Sequence, residues 1–374
     1  MRWFYLLILL SSCKNIKEEK NITSSETKSS NIEYAYGFDV EMVKEGYILK
    51  VNNPWPESGK SFTYYLYRNK TEEFDSLKFD ARVKIPIDNL VTTSTTHIPS
   101  LDTLGVLSRL VGFPNTNYIS TEKAINLVAE GKIKDVGQNE SLNTELLINI
   151  NPDALVAFAV KGQNKSIESL SKAGIPVIYN GDWTEKKALG KAEWIKFFGV
   201  LFDKLEEAET IFEGIKTEYL KTKKLASEAD KRPTVISGAL WKDTWYLPSG
   251  ESWQAQLLCD ANSLYIYRNT EGSGSLSLSL ESVLNEAKDA EYWIGPAQFT
   301  SYDQMIENQS HYAQFKAFKD KQIYTFSLTK GINGGVLYYE LAPNRPDIVL
   351  KDLVKIFHPE LLPNHKFYFF KPLE

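Results

Sequence analysis

Cysteine is almost absent from this chain. Its 374 residues hold 2, Cys13 and Cys259. If Cys13 closes a leader, Cys259 is left alone, no disulfide within the chain is possible, and a hydrophobic core must hold the fold. Cys259 follows Leu257-Leu258 in an apolar helical stretch and reads as a buried structural thiol. Histidine is scarce too, with 4 in the chain. No His/Asp/Glu spacing suggests a bare zinc or manganese site, so no resident metal cofactor is expected. No basic cluster exists and the formal net charge is −5, which argues against nucleic acid as a partner. No apolar run reaches the roughly 20 residues that a bilayer-spanning helix needs. Proline is missing between Thr184 and Arg232, so nothing interrupts a helix there.

What is present begins with a leader. Arg2 supplies one positive charge, Trp3–Leu10 is apolar, and Leu10-Ser11-Ser12-Cys13 places small residues before a cut. This string resembles a bacterial lipobox, which implies a signal peptide over 1–12 and lipidation of Cys13. Residues 13–32 are rich in Lys, Glu, Ser, Asn and Thr and read as a disordered tether with a reach of roughly 25 Å. The expected location is the cell envelope of a bacterium, with a soluble body lipid-anchored to a membrane and facing the periplasm.

Residues 33–88 form a β-rich extension, since Tyr34, Tyr36, Phe38, Val40 and Met42 alternate with other residues and Tyr47, Leu49 and Val51 do so again. From 89 to 184 the pattern becomes strand–helix–strand, the grammar of a parallel sheet covered on both faces. Over 185–231 the chain is helical. Ala208, Ile211, Phe212, Ile215 and Tyr219 share one face of a helix spanning roughly 204–228, about 38 Å long, preceded by a shorter one at 188–199. The α/β pattern restarts over 232–374, with a strand expected at Thr234–Leu240. The fold class is α/β: two Rossmann-like lobes joined by one long α-helix.

A thirteen-residue pattern supports two lobes of one plan. Asn143–Leu155 and Ser279–Glu291 match without a gap, pairing Glu145 with Glu281, Asn149 with Asn285, Asp153 with Asp289 and Ala154 with Ala290. If Asn143 and Ser279 are N-caps, each glutamate lies in a first helical turn, where its charge is worth about 0.3–1 kcal/mol against the macrodipole.

Taken in order, Val136-Gly137, Asn143-Thr144-Glu145, Asn151-Pro152-Asp153-Ala154-Leu155-Val156, Ala173-Gly174-Ile175-Pro176-Val177, the long helix with Ala208, Leu247-Pro248-Ser249-Gly250 and Ser279–Leu284 resemble the class III periplasmic binding proteins of ABC importers, in the iron-siderophore and vitamin B12 branch. The resemblance covers roughly residues 88–357 and leaves the β-rich extension without a counterpart. It implies a monomeric, non-enzymatic binding protein that captures a metal chelate or corrinoid (ferric siderophore, cobalamin or haem). It also implies that Glu145 and Glu281 dock on arginines of a permease dimer. Ligands of open α/β sheets bind beyond the strand ends. Candidates there are His97, Asn115, Tyr118 and Phe158 from the first lobe, and Trp241, Trp245, Tyr246, Phe299 and Tyr302 from the second. The alternative is a surface lipoprotein that binds a glycan or protein partner through its aromatic residues. A serine hydrolase ranks below both, because Ser120-Thr121-Glu122-Lys123 and Ser169-Leu170-Ser171-Lys172 lack a Lys-Thr-Gly partner.

Overall fold

Alternation of apolar and polar side chains makes residues 38–67 a meander in which Phe38–Val43, Gly46–Asn52 and Ser61–Tyr67 pair antiparallel. Ala81–Lys84 joins in parallel, and Lys28–Ser29 extends the other edge, completing a five-stranded sheet. The computed structural model describes residues 28–29, 31–70, 74, 76–160, 162 and 164–374. The leader, Cys13 and most of the tether fall outside the described residues.

The first lobe is built on five parallel strands in the spatial order Val177–Asn180, Ala154–Phe158, Leu90–Thr92, Leu110–Phe113 and Lys134–Asp135. Ala154, Leu155, Val156 and Ala157 are all buried, as expected for a strand with helices on both faces. In the second lobe the order is Leu264–Tyr265, Thr234–Ser237, Tyr292–Ile294, Ile323–Thr325 and Lys371–Pro372, with only the last strand antiparallel.

The strand expected over 234–240 is two strands. It breaks at Gly238, where φ is 78° and a Cβ would stand 1.9 Å from the Tyr246 carbonyl oxygen. The chain then turns into a separate antiparallel sheet of Ala239–Trp241, Thr244–Pro248 and Ser275–Leu278.

Between the lobes runs the helix Leu205–Ala226, 22 residues long, or about 33 Å. Leu205, Ala208, Phe212, Ile215, Tyr219, Thr222 and Ala226 bury one continuous stripe. Glu206 and Glu207 open the helix and Lys223 and Lys224 close it, each sign at its favourable end. The helix expected at 188–199 is a pair, Ala188–Glu193 and Ile195–Leu201, joined at Trp194. Gly199 lets this pair approach the long helix, since a Cβ there would lie 2.7 Å from that of Ala208.

The internal repeat has a structural counterpart. Each copy is a short helix, Thr144–Ile150 or Leu280–Ala287, capped by the side chain of Asn143 or Ser279. Each helix precedes a strand that pairs in parallel with the first strand of its own lobe. The gapless register does not survive past the helices. The Asp153 carboxylate accepts the Asp88 and Asn89 N–H groups, and its counterpart by role is Glu291, which accepts the Thr234 N–H. Asp289, its partner in the sequence match, is exposed.

Candidate functional site

Chain segments leaving the first lobe's strands converge on one side of the molecule. Thr93, Ser94 and Thr95 follow Leu90–Thr92; Pro114 and Asn115 follow Leu110–Phe113; Gln138, Asn139 and Glu140 follow the edge strand; Phe158 ends Ala154–Phe158. With Gly335, Val336, Tyr339 and Glu340 of the second lobe they enclose a cavity of about 590 Å³. That is within the range of small-molecule sites. Tyr118 and Tyr339, 69% and 59% exposed, stand on opposite lobes. Tyr339 is braced by Phe326 at 5.4 Å between ring centres.

The lobes touch behind this cavity. Glu340, on the helix Leu337–Leu341, is 1% exposed. Its carboxylate accepts the N–H groups of Ser120 and Thr121 at 2.7 and 2.9 Å and the Thr121 hydroxyl. Those donors open the helix Glu122–Ala129, which has no side-chain cap of its own. Glu340 therefore caps a helix of the other lobe. Burial raises its carboxyl pKa, and the bonds from Ser120 and Thr121 oppose that rise. The segment 331–335 lies so close that a Cβ on Gly335 would meet the Ser120 hydroxyl oxygen at 2.6 Å. Asn344 adds a second tie, accepting from the Ser100 hydroxyl at 2.7 Å and donating to the Thr96 carbonyl at 2.8 Å. Beyond these contacts lies a rear cavity of about 620 Å³, floored by Ile195, Ile211 and Ile215 of the linking helices. Ser120 borders both spaces.

Of the expected ligand residues, Asn115, Tyr118 and Phe158 line the front cavity. Asn115 adopts a left-handed backbone, φ 51°, which asparagine tolerates better than most residues. His97 does not reach the wall. It is fully buried and shares a 2.6 Å hydrogen bond with the Thr92 hydroxyl through Nδ1. Burial lowers its pKa despite the nearby Asp182, so it belongs to a polar floor rather than to the site surface. In that floor Thr96 donates to Asp182, and the Lys191 ammonium donates to the Asp182 carbonyl.

The second-lobe candidates lie elsewhere. Trp245 is fully buried, its ring 5.1 Å from that of Trp293 and its indole N–H on the Ser237 carbonyl. Phe299 is buried beside Tyr312. Tyr302 packs on Phe318 under the Lys321 ammonium, 3.6 Å from its ring centre. Trp241 and Tyr246 are exposed on the hairpin and line neither cavity. Two-residue alternation along Thr244–Pro248 explains the division: Trp245 and Leu247 point inward and Tyr246 outward. The residues that do close the cavity were signalled by Gly331, Gly334 and Gly335 just before Tyr338-Tyr339-Glu340, a glycine-rich loop feeding an aromatic helix.

Glu145 and Glu281 are both exposed in the first turns of the repeat helices. Cys259 is half-buried on the helix Trp253–Asp260 rather than enclosed, and burial pushes its thiol pKa up. Among the described residues no group of three His, Cys, Asp or Glu side chains could hold a metal ion, and no helix is long and apolar enough to cross a membrane.

Comparison with known proteins agrees with this architecture. Residues 90–327 match the family described as periplasmic binding protein. An uncharacterized lipoprotein of Methanocaldococcus jannaschii is 27% identical over 77% of this chain and 69% of its own length. A second uncharacterized lipoprotein of that organism is 22% identical over 95% of this chain and 93% of its own. Among solved structures, a possible iron-binding periplasmic solute-binding protein of Staphylococcus epidermidis superposes with a TM-score of 0.56 at 20% identity, covering 73% of this chain and 99% of that one. The petrobactin-binding protein YclQ of Bacillus subtilis gives 0.57 at 18% identity, covering 82% and 99%. The periplasmic heme-binding protein HutB of Vibrio cholerae gives 0.55 at 15%, covering 70% and 99%. The chain belongs to the periplasmic binding protein family, whose members bind solutes and are not enzymes.

Proposed function

We propose that this protein is the substrate-binding lipoprotein of an ABC importer and carries a metal chelate in the front cavity. The observation that supports this most is the cavity itself, at the carboxyl ends of the first lobe's strands, with Tyr118 and Tyr339 facing it from opposite lobes. The structural relatives include proteins named for petrobactin and heme. Lipidation of Cys13 would hold the body at the membrane face. Glu145 and Glu281 would engage permease arginines, since two separated exposed carboxylates can set register and orientation together.

Titration of the full-length protein in detergent with ferric siderophores, haem and cobalamin tests the reading. Trp183 packs edge-on against Phe158 at 5.5 Å and should report occupancy by fluorescence. Silence towards all three classes would sink the proposal. A glycan-binding alternative has one observation in its favour, the exposed aromatic pair Trp241 and Tyr246. It predicts that Trp241→Ala abolishes binding to a glycan array.

A further inference from the structure

We infer that the chelate is uncharged or cationic, with an amide- and hydroxyl-rich periphery, and not a polyanion. The inference rests on the front cavity being the ligand site and concerns the charge of that wall. Among the described residues lining the cavity none is a lysine or an arginine, and the two charged ones are both acidic, Glu140 and Glu340. The cations Lys330 and Arg345 lie behind the contact between the lobes, in the rear cavity. Arg345 is already bound by Asp347 through two hydrogen bonds of 2.9 and 2.8 Å.

A polyanion entering a concave wall gives up hydration and needs charge-assisted partners in return. Among the described residues of this wall it would meet two carboxylates and no cation. A neutral or cationic complex finds what the wall does offer. Asn115 supplies an amide donor and acceptor, Thr95 a hydroxyl, and Ser94 a hydroxyl that also pairs with Thr96 at 2.9 Å. The faces of Tyr118 and Tyr339 suit flat apolar or cationic surface. Glu340 is committed to Ser120 and Thr121 and lends its charge rather than a contact. Glu140 is exposed at the rim and free to meet a cationic group.

The test is a competition series on the full-length protein, with binding read by fluorescence and by native mass spectrometry. The probes are monocationic ferrioxamine B, neutral cyanocobalamin, trianionic ferric enterobactin and haem with its two propionates. One of the first two should bind at least about tenfold more tightly than either of the last two, a difference of about 1.4 kcal/mol. Which of the first two wins separates a hydroxamate chelate from a corrinoid. Tighter binding of ferric enterobactin or haem overturns the inference while leaving the proposed function intact. Silence towards all four probes defeats the proposed function, and the inference with it. Glu140→Lys should weaken ferrioxamine B about two- to fivefold more than it weakens cyanocobalamin. Lys161, shortly after Phe158, lies outside the described residues, so Lys161→Gln is titrated in parallel. Loss of chelate binding in that variant overturns the charge assignment.

Discussion

Trp241, Trp245 and Tyr246 occupy one short hairpin and have three different fates. Trp245 packs in the second lobe's core, where it touches Trp293, Tyr312 and Phe315. Replacing it with alanine should cost about 3–5 kcal/mol, read by urea denaturation. Trp241→Ala, on the exposed side, should change stability by no more than about 0.5 kcal/mol. Equal costs would contradict the assignment of faces. Aromatic content alone could not tell a core ring from a ligand ring. The strand's alternation could, once its register was known.

Glu185 adds a pH dependence at the same scale. It is 2% exposed, and its Oε1 accepts the N–H groups of Tyr36 and Gly37 and the Trp194 indole. Burial pushes its carboxyl pKa up to about 7, against those hydrogen bonds and the nearby Lys191 charge. Its folded pKa therefore exceeds the unfolded value of about 4.3. The folded state binds the extra proton, so this group's contribution is fully present below about pH 4 and is lost as pH rises through about 7. Thermal melts from pH 5 to 9 should show wild type losing ground relative to Glu185→Gln as pH rises. Parallel curves would refute the assignment.

At the scale of elements, the meander, the parallel sheets and the long helix were legible in the sequence because periods of two and of 3.6 residues are imposed directly by burial. Boundaries were less so. The long helix begins at Leu205 with no side-chain cap on Lys204 and ends at Ala226 with no glycine beyond it, leaving the composition near its ends uninformative. The repeat was legible in its helices and misleading after them, because Asn151 turns left-handed at the end of the first and Lys288 does not at the end of the second.

How the β-rich extension is held was not legible at all, since its anchors lie far away in the chain. Glu193 is fully buried and accepts the N–H groups of Glu33, Tyr34 and Ala35 at 2.7–2.9 Å, with Lys196 as its ion partner. Removing the carboxylate leaves three donors and a buried ammonium uncompensated. Glu193→Ala should destabilise by about 3–5 kcal/mol. Hydrogen exchange should quicken over residues 33–37 beyond what the global loss accounts for. Unchanged exchange in that segment would mean that the extension is held by its apolar face alone.

At the scale of the whole molecule, the lobes are joined by the long helix and by polar contacts at Glu340 and Asn344. The helix links the lobes through a buried apolar stripe. Glu340 is a polar contact that can be made or broken, and it sits between the front cavity and the rear one. Ligand affinity includes the work of arranging the lobes, and a contact that already holds them reduces that work. Glu340→Ala should uncap the helix Glu122–Ala129, speed amide exchange over Ser120–Ile125 and increase the radius of gyration of the free protein in small-angle scattering. Affinity should fall up to about tenfold while the bound form keeps its compact scattering profile, because the ligand then bridges the lobes in place of the carboxylate. If the free variant scatters like wild type and binds as tightly, Glu340 caps a helix and does not set the arrangement of the lobes.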